Sequence, residues 1–73
     1  MNIKEKIGAR IRELREEKKL SQTDLAVDAE INRGYLNAVE KGSRNVSAVN
    51  LEKIVIALNV TLKEFFDSEI FSE

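Results

Sequence analysis

The sequence predicts an all-α fold built from five short helices. Apolar residues recur at intervals of three and four along almost the whole chain, which is the spacing of one face of an α-helix. The 73 residues include no proline. Residues that favour helix ends stand between the apolar stretches, so each predicted helix has a defined start and end.

The first helix is predicted over about sixteen residues near the N-terminus, since Ile3, Ile7, Ile11 and Leu14 form one apolar stripe at helical spacing. The charged residues between them would lie on the opposite, solvated side. This helix is therefore expected to pack one face against the rest of the domain.

The second and third helices are predicted to be short and close together. Ser21 is a suitable N-cap for a helix over about 22–28, and Asp24 stands at capping-box spacing from it. Asn32 is the N-cap of the third helix, which Gly42 ends as a C-terminal cap. The three or four residues between the two helices are too few for antiparallel packing and are typical of a helix-turn-helix motif, here about 21–41.

The fourth and fifth helices follow the same pattern. Ser47 is the predicted N-cap of the fourth, and Asn59 closes it. The fifth helix is predicted to begin near Thr61 and to carry the remaining apolar residues, which are Leu62, Phe65, Phe66 and, at its far end, Ile70 and Phe71. The expected result is one domain over residues 1–73.

Composition argues against several functional classes. The absence of cysteine and histidine removes disulfides, thiolate chemistry, the usual zinc sites and the commonest general base. We find no nucleophile–base pair, metal cluster or phosphate-binding glycine loop, so we expect neither an enzyme nor a cofactor. No apolar run approaches the roughly 20 residues that a membrane span needs. We therefore expect a cytoplasmic protein with no membrane partner.

The charge is unevenly distributed. Net charge is −1 and the pI is about 5.5. Residues 1–53 hold eleven basic against nine acidic residues, whereas residues 54–73 hold one against four. Because the acid is concentrated in the tail, a basic face elsewhere on the molecule remains compatible with a polyanionic partner.

The third helix carries side chains suited to DNA bases, and in a helix-turn-helix the second helix of the pair enters the major groove. Arg33 can fork onto guanine O6 and N7, and Asn37, one turn later, has the amide geometry for an adenine edge. Gly34 costs about 1 kcal/mol of helix propensity relative to alanine, but it lets the backbone approach a duplex closely. Asn32 is grouped with them at the helix start. Each residue alone is equally compatible with a solvated helix surface.

The segment LREEKKLSQTDLAVDAEINRGYLNAVEKGSRNVSAVNLEKIVIALNVTLKEFF resembles the lambda-repressor-like (XRE-type) helix-turn-helix domain of phage repressors, Cro proteins and small bacterial regulators. The resemblance covers about residues 7–67. Four elements carry it in the right order: Leu-Arg before the first turn, Ser-Gln-Thr-Asp-Leu-Ala, Val-Glu-Lys-Gly and Leu-Glu-Lys-Ile. Within this family, NRGYLNAVEKGSRNVSAVNLEKI and the terminal Phe-Phe look most like controller proteins of restriction–modification systems.

The resemblance implies contacts to the DNA backbone. Gln22 matches a position that binds phosphate, although a simple capping role is the alternative. Ser43, Arg44 and Asn45 match the loop that grips the sugar–phosphate chain, and we expect Arg44 to contribute most. Tyr35 matches an aromatic position whose ring would lie over the fourth helix with its hydroxyl reaching a phosphate; packing alone is equally compatible.

The resemblance also implies a structural ion pair between Arg15 and Glu40, which would link the first helix to the end of the third. One position departs from the family pattern. Glu30 stands in the turn between the motif helices, where many members have glycine. Either Glu30 takes a left-handed conformation, at a cost of roughly 1–2 kcal/mol, or the turn has another shape.

Apolar residues in excess of one core predict self-association. The expected dimerisation region is about 47–71, and the residues assigned to its interface are Val49, Val55, Ile56, Phe65 and Phe66. A two-fold dimer would present two recognition helices about 34 Å apart to a pseudo-palindromic operator. The alternative is that these residues only cover a small core.

We therefore expect a sequence-specific DNA-binding regulator of transcription, of the controller subtype implied by the resemblance. It would bind double-stranded operator DNA as a homodimer without a small-molecule effector, and act by occupying promoter DNA or touching RNA polymerase. A phage-type repressor or an antitoxin with the same domain is the nearest alternative. An alternative of another class, consistent with the acidic pI, is a helical protein-interaction module without DNA binding.

Overall fold

The computed structural model describes residues 1–72 and contains five α-helices in that part of the chain. They are α1 (Ile3–Glu17), α2 (Gln22–Ala29), α3 (Arg33–Glu40), α4 (Ala48–Ala57) and α5 (Leu62–Phe66). A short 3-10 helix, Glu69–Phe71, follows α5. Residues 1–72 include no β-strand, and none of their helices has the length and apolar character needed to cross a membrane.

Each α-helix starts at a polar side chain that accepts a backbone N–H of the first turn. The five N-cap residues are Asn2, Ser21, Asn32, Ser47 and Thr61. The capping box predicted at the start of α2 is confirmed: Asp24 N donates to Ser21 Oγ at 3.0 Å, and Ser21 N donates to the Asp24 carboxylate at 3.3 Å. The helix starts are therefore set by local chemistry.

Helices α1 to α4 end in the same left-handed turn. The residues with positive φ just past these helices are Lys19, Glu30, Gly42 and Asn59. After each one, the next backbone N–H returns to a carbonyl five positions earlier; at the end of α2, Ile31 N donates to Ala26 O at 3.0 Å. This is the Schellman arrangement. Glu30 has φ 57° and ψ 44°, so it takes the left-handed conformation, the first of the two possibilities raised by the sequence.

The core lies where α1 packs against α3 and where α2 packs against α4. The largest fully buried side chains are Phe65, Ile11, Leu25, Leu36, Ile54, Leu58, Val39 and Val55. Helices α1 and α3 approach closely at Gly8, since a Cβ added there would lie 2.2 Å from Val39 O. This close packing positions α3 so that its opposite side faces outward.

Two residues assigned to the dimer interface lie instead in the protomer core. Val55 is 2% exposed and Phe65 is 0% exposed. Val55 completes the buried stripe of α4, which follows helical spacing through Leu51, Ile54 and Leu58. Phe65 is covered by Phe66, whose ring meets it edge-on at 5.0 Å between centroids. The assignment of Val55 and Phe65 to a dimer surface was therefore wrong.

The fifth helix is shorter than the sequence indicates. It ends at Phe66, because Asp67 leaves the helical conformation with ψ 74°. The chain then turns, and Ile70 and Phe71 lie in the separate 3-10 helix. The turn brings the Phe71 ring to 6.0 Å from Phe65 and 5.0 Å from Phe66, so the chain reversal adds a third ring to this aromatic group.

Candidate nucleic-acid interface

Helix α3 is buried on one side and open on the other. Leu36, Val39 and Glu40 are buried, whereas Arg33 and Gly34 are exposed and Asn37 is half-buried. A shallow recess on the open side is lined by Gln22 of α2 and by Arg33, Gly34 and Asn37 of α3. Four residues to which the sequence assigns contacts with DNA thus share one surface.

Gly34 leaves the backbone of α3 open to solvent. Its φ is not positive, so the backbone does not demand glycine there. A Cβ added at this position would meet only the Asn32 side-chain oxygen, at 3.0 Å, among atoms within 4 Å. No helix packs against Gly34, so the space that a side chain would occupy is available to a ligand.

The side chains beside Gly34 differ in how far they are engaged within the protein. Arg33 makes no hydrogen bond or ion pair with the rest of residues 1–72, and its guanidinium is free to meet a partner. Asn32, which the sequence groups with the base-reading residues, uses its side-chain oxygen to cap α3, accepting from Tyr35 N at 3.1 Å. Its contribution to the surface is therefore partly structural.

A polar network underlies the recess. Arg15 and Glu40 form an ion pair through two hydrogen bonds, Nε to Oε2 at 2.8 Å and Nη2 to Oε1 at 3.0 Å. Arg15 also donates from Nη1 to Leu20 O at 2.9 Å. Hydrogen bonding to Glu40 raises the pKa of Arg15 above its ordinary value, so the guanidinium stays charged. Gln22 Nε2 then donates to Glu40 Oε1 and to Asn37 Oδ1, both at 3.2 Å.

The loop after α3 is held by an aromatic ring. The Arg44 guanidinium carbon lies 4.9 Å from the centroid of the Tyr35 ring, a cation–π distance. The Tyr35 hydroxyl accepts from Asn50 Nδ2 of α4 at 3.2 Å and donates to Asn45 O at 3.5 Å. Tyr35 thus joins α3, the loop and α4, and it presents the Arg44 charge at the surface.

The other polar residues of this loop have mixed roles. The Ser43 hydroxyl donates to Ala38 O at 3.1 Å, which completes the C-terminal end of α3. The side chains of Lys41 and Asn45 are exposed. The loop therefore offers Arg44, Lys41 and the Asn45 amide to a partner, while the donor of Ser43 is used within the protein.

Arg12 is a further basic residue near the recess, and the sequence did not predict it as part of the interface. Arg12 borders a second recess, whose other lining residues are Arg15, Gln22, Asn37, Glu40 and Lys41. Its Nε donates to Glu16 Oε2 at 3.2 Å, and both side chains are largely exposed. The sequence could have indicated this position, because Arg12 lies three residues before Arg15 and thus on the same side of α1.

The large exposed apolar residues lie on α4 and α5, near the N-terminus at Met1 and Ile3, and on α2 at Val27. Val49 and Ile56, seven residues apart on one side of α4, are 65% and 68% exposed. On α5, Phe66 is 41% exposed and Leu62 is similar. These residues remain available for a partner, in contrast to Val55 and Phe65.

Comparisons with known proteins agree with this geometry. Residues 11–65 match the family described as "Helix-turn-helix". The chain is 46% identical over 66 residues to control protein C.MunI of Mycoplasma sp, covering 89% of each. It resembles the crystal structure of the restriction–modification controller protein C.AhdI from Aeromonas hydrophila, with TM-score 0.83, 46% identity and coverage of 86% of this chain and 96% of that one.

One structurally similar protein has been solved in complex with DNA. The restriction–modification controller protein C.Esp1396I has been solved as a tetramer in complex with its natural 35 base-pair operator. The present chain matches that structure with TM-score 0.87 and 33% identity, covering 92% of this chain and 88% of that one. These likenesses confirm the predicted all-α, five-helix fold.

Proposed function

The chain belongs to the helix-turn-helix family that includes the restriction–modification controller proteins, and from this we propose that it is a sequence-specific DNA-binding regulator of a restriction–modification operon. The observation that supports this most directly is the recess on α3, where Arg33, Gly34 and Asn37 meet Gln22 of α2. An open helix face with free hydrogen-bonding groups is what reading of base edges requires.

In the proposed complex α3 lies in the major groove. Arg33 lies at the first position of α3 and is unpaired among residues 1–72. In the complex its guanidinium donates two hydrogen bonds, to guanine O6 and N7. Gly34 allows the helix backbone to come close to the bases, since no side chain projects there. Asn37 reads a second base one turn further along the helix.

The backbone contacts flank this helix. Arg44, stacked on Tyr35, meets a phosphate on one side, and Lys41 and Asn45 are exposed near it. A guanidinium is always charged and pairs well with phosphate, and its stacking on an aromatic ring limits its freedom before binding. These contacts hold the protein on DNA of any sequence, and the α3 contacts provide the sequence preference.

We assign the active form to a two-fold dimer through α4 and α5. Val49, Ile56 and Phe66 form the exposed apolar part of that surface. The tetrameric C.Esp1396I complex supports oligomeric binding to an operator. A dimer would place two α3 helices about 34 Å apart, one helical turn of DNA. Bound there, in the cytoplasm, it would act on transcription by occupying promoter DNA or by contacting RNA polymerase.

Selection of bound sites from a random duplex pool tests this proposal. We expect enrichment of a pseudo-palindrome with half-sites one turn apart. Arg33→Ala should relax the preference at one base position by about tenfold, whereas Arg44→Ala should weaken binding to all sequences alike and reduce the salt dependence by about one phosphate contact. Lys18→Ala, at the exposed C-cap of α1, is the matched charge control and should change neither. A pool that shows no enrichment contradicts the proposal and favours the protein-interaction alternative.

A further inference from the structure

The buried carboxylate of Glu40 determines the direction of every hydrogen bond around it. Its side chain is only 3% exposed and is paired with Arg15 through both oxygens. An ionised carboxylate accepts hydrogen bonds and donates none. Any polar atom within hydrogen-bonding distance of Glu40 must therefore be a donor.

This requirement orients the amide of Gln22. The Gln22 atom 3.2 Å from Glu40 Oε1 must be the nitrogen, and the same nitrogen lies 3.2 Å from Asn37. An amide nitrogen carries two hydrogens, and both are used by these two partners. The remaining atom, Oε1, is an acceptor. The Gln22 side chain in this arrangement has no N–H to offer a phosphate, which is itself an acceptor, contrary to the contact implied by the family resemblance.

The orientation of the Gln22 amide also determines the orientation of the Asn37 amide. Because Gln22 Nε2 donates, the Asn37 atom facing it must be Oδ1. The nitrogen of Asn37 is thus the free end of the amide, and it has no partner among residues 1–72. Purine N7, guanine O6 and thymine O4 can accept from it, whereas cytosine offers only its N4 donor in the major groove.

We propose that Glu40 is a positioning residue for base recognition: acting through Gln22, it holds Asn37 with its N–H donors towards the DNA, so that this position of the operator accepts purine or thymine and rejects cytosine. The proposal rests on the proposed function for its DNA contact. The orientation of the two amides belongs to the free protein and can be measured without DNA.

The first test uses side-chain amide hydrogen exchange in the free protein, measured by NMR. Both Gln22 amide hydrogens are bonded and both Asn37 amide hydrogens are not, so the Gln22 protons should exchange severalfold more slowly than those of Asn37. The variant Gln22→Met serves as a control because it keeps the Arg15–Glu40 ion pair. In this variant the side-chain amide of Asn50, on α4, should exchange at the same rate as in the wild type. Faster exchange at Gln22 than at Asn37 overturns the proposal whatever the protein binds.

The second test measures base preference on the operator selected by the wild-type protein. The position read by Asn37 is the one at which Asn37→Ala loses its preference. There the wild type should disfavour cytosine by about tenfold. Asn37→Asp, which only accepts, should favour cytosine instead. Gln22→Met removes the donor that holds the Asn37 amide, so this amide can rotate by a half-turn. Discrimination against cytosine should then fall below about threefold, while the preference at the position read by Arg33 stays unchanged.

The outcomes separate the two proposals. If the wild type binds a specific operator but Gln22→Met keeps full discrimination against cytosine, the role of Glu40 and Gln22 in reading is overturned and the proposed function stands. If Gln22→Met lowers discrimination at every position equally, its effect is structural and the inference also fails. If no duplex is bound above background, the proposed function fails, and reading of a base by Asn37 fails with it.

Discussion

Replacing Glu30 with glycine should stabilise the protein, although glycine usually weakens helices. Glu30 is the C-cap of α2 and has φ 57° and ψ 44°. In this conformation the Cβ of an L-residue crowds the backbone. The Glu30 side chain is exposed and makes no hydrogen bond or ion pair with the rest of residues 1–72, so the substitution changes little except the backbone energetics.

The expected gain is the difference of two opposing terms. Relief of the left-handed conformation contributes about 1–2 kcal/mol. The greater freedom of glycine in the unfolded chain costs about 0.5–1 kcal/mol. The two bonds from Glu30 N, to Ala26 O and Val27 O, are retained because glycine keeps its N–H. The net gain in the free energy of unfolding therefore lies between about 0 and 1.5 kcal/mol, and its midpoint of about 0.8 kcal/mol raises Tm by about 3–6 °C for a domain of this size.

Thermal and urea unfolding followed by circular dichroism measure this difference. All variants are compared at one protein concentration, because self-association makes Tm depend on concentration. Glu52→Gly is the matched control: Glu52 is exposed in the middle of α4, and the change should lower stability by about 1 kcal/mol. Glu30→Ala keeps the left-handed cost and should stay close to the wild type. If Glu30→Gly destabilises as much as Glu52→Gly, position 30 does not carry the strain assigned to it.

Three further substitutions test the packing that supports the interface. Arg15→Ala leaves the Glu40 carboxylate buried without its partner and should cost about 3–5 kcal/mol, lowering the urea midpoint and DNA affinity together; unchanged stability would show that the pair does not form. Gly8→Ala raises helix propensity but places a Cβ 2.2 Å from Val39 O, so a loss of about 1–3 kcal/mol is expected by urea unfolding, and a gain would contradict the close approach of α1 and α3. Ile56→Asp changes an exposed side chain, so the circular dichroism spectrum should be retained while sedimentation shifts towards the monomer; an unchanged dimer would exclude this side of α4 from the interface.

Helix starts were the most predictable part of the fold, since a cap acts within one turn of its own sequence. Ser21, Asn32 and Ser47 begin helices as predicted. Helix ends were less predictable. Lys19 and Glu30 take left-handed conformations that neither residue favours, because the returning N–H of the next residue and the burial of the following apolar side chain determine the turn.

The partition of apolar residues between core and surface could not be predicted reliably from periodicity. The stripe on α4 predicts which side is apolar, but not how far around the helix the neighbouring elements extend. Val55 and Phe65 were assigned to a partner, whereas both are buried within the protomer, where the turn after α5 brings the Phe71 ring to 6.0 Å from Phe65. The position of Phe71 depends on a chain reversal after Phe66 that carries no glycine or proline signal.

For the candidate site, the spacing of Arg33, Gly34 and Asn37 predicts their common side of α3. The connection between Gln22, Asn37 and Glu40 could not be predicted, because it joins residues fifteen and eighteen positions apart on helices whose angle depends on the turn at Glu30. Sequence alone therefore indicates which side chains face a partner, but not which atoms of their amides do.

Glu40 links the stability of the fold to the chemistry of its outer surface. Its carboxylate joins α1 to α3 through Arg15 and also accepts from Gln22, so both roles depend on a group that only accepts hydrogen bonds. Glutamine at this position would keep the shape but could donate as well as accept, and it would lose the charge opposite Arg15. Changes at Glu40 should therefore alter stability and base preference together. Changes at Gln22 leave the ion pair intact, so they should alter base preference with a much smaller loss of stability than changes at Glu40. This difference separates a residue that orients the reading amide from one that only supports the fold.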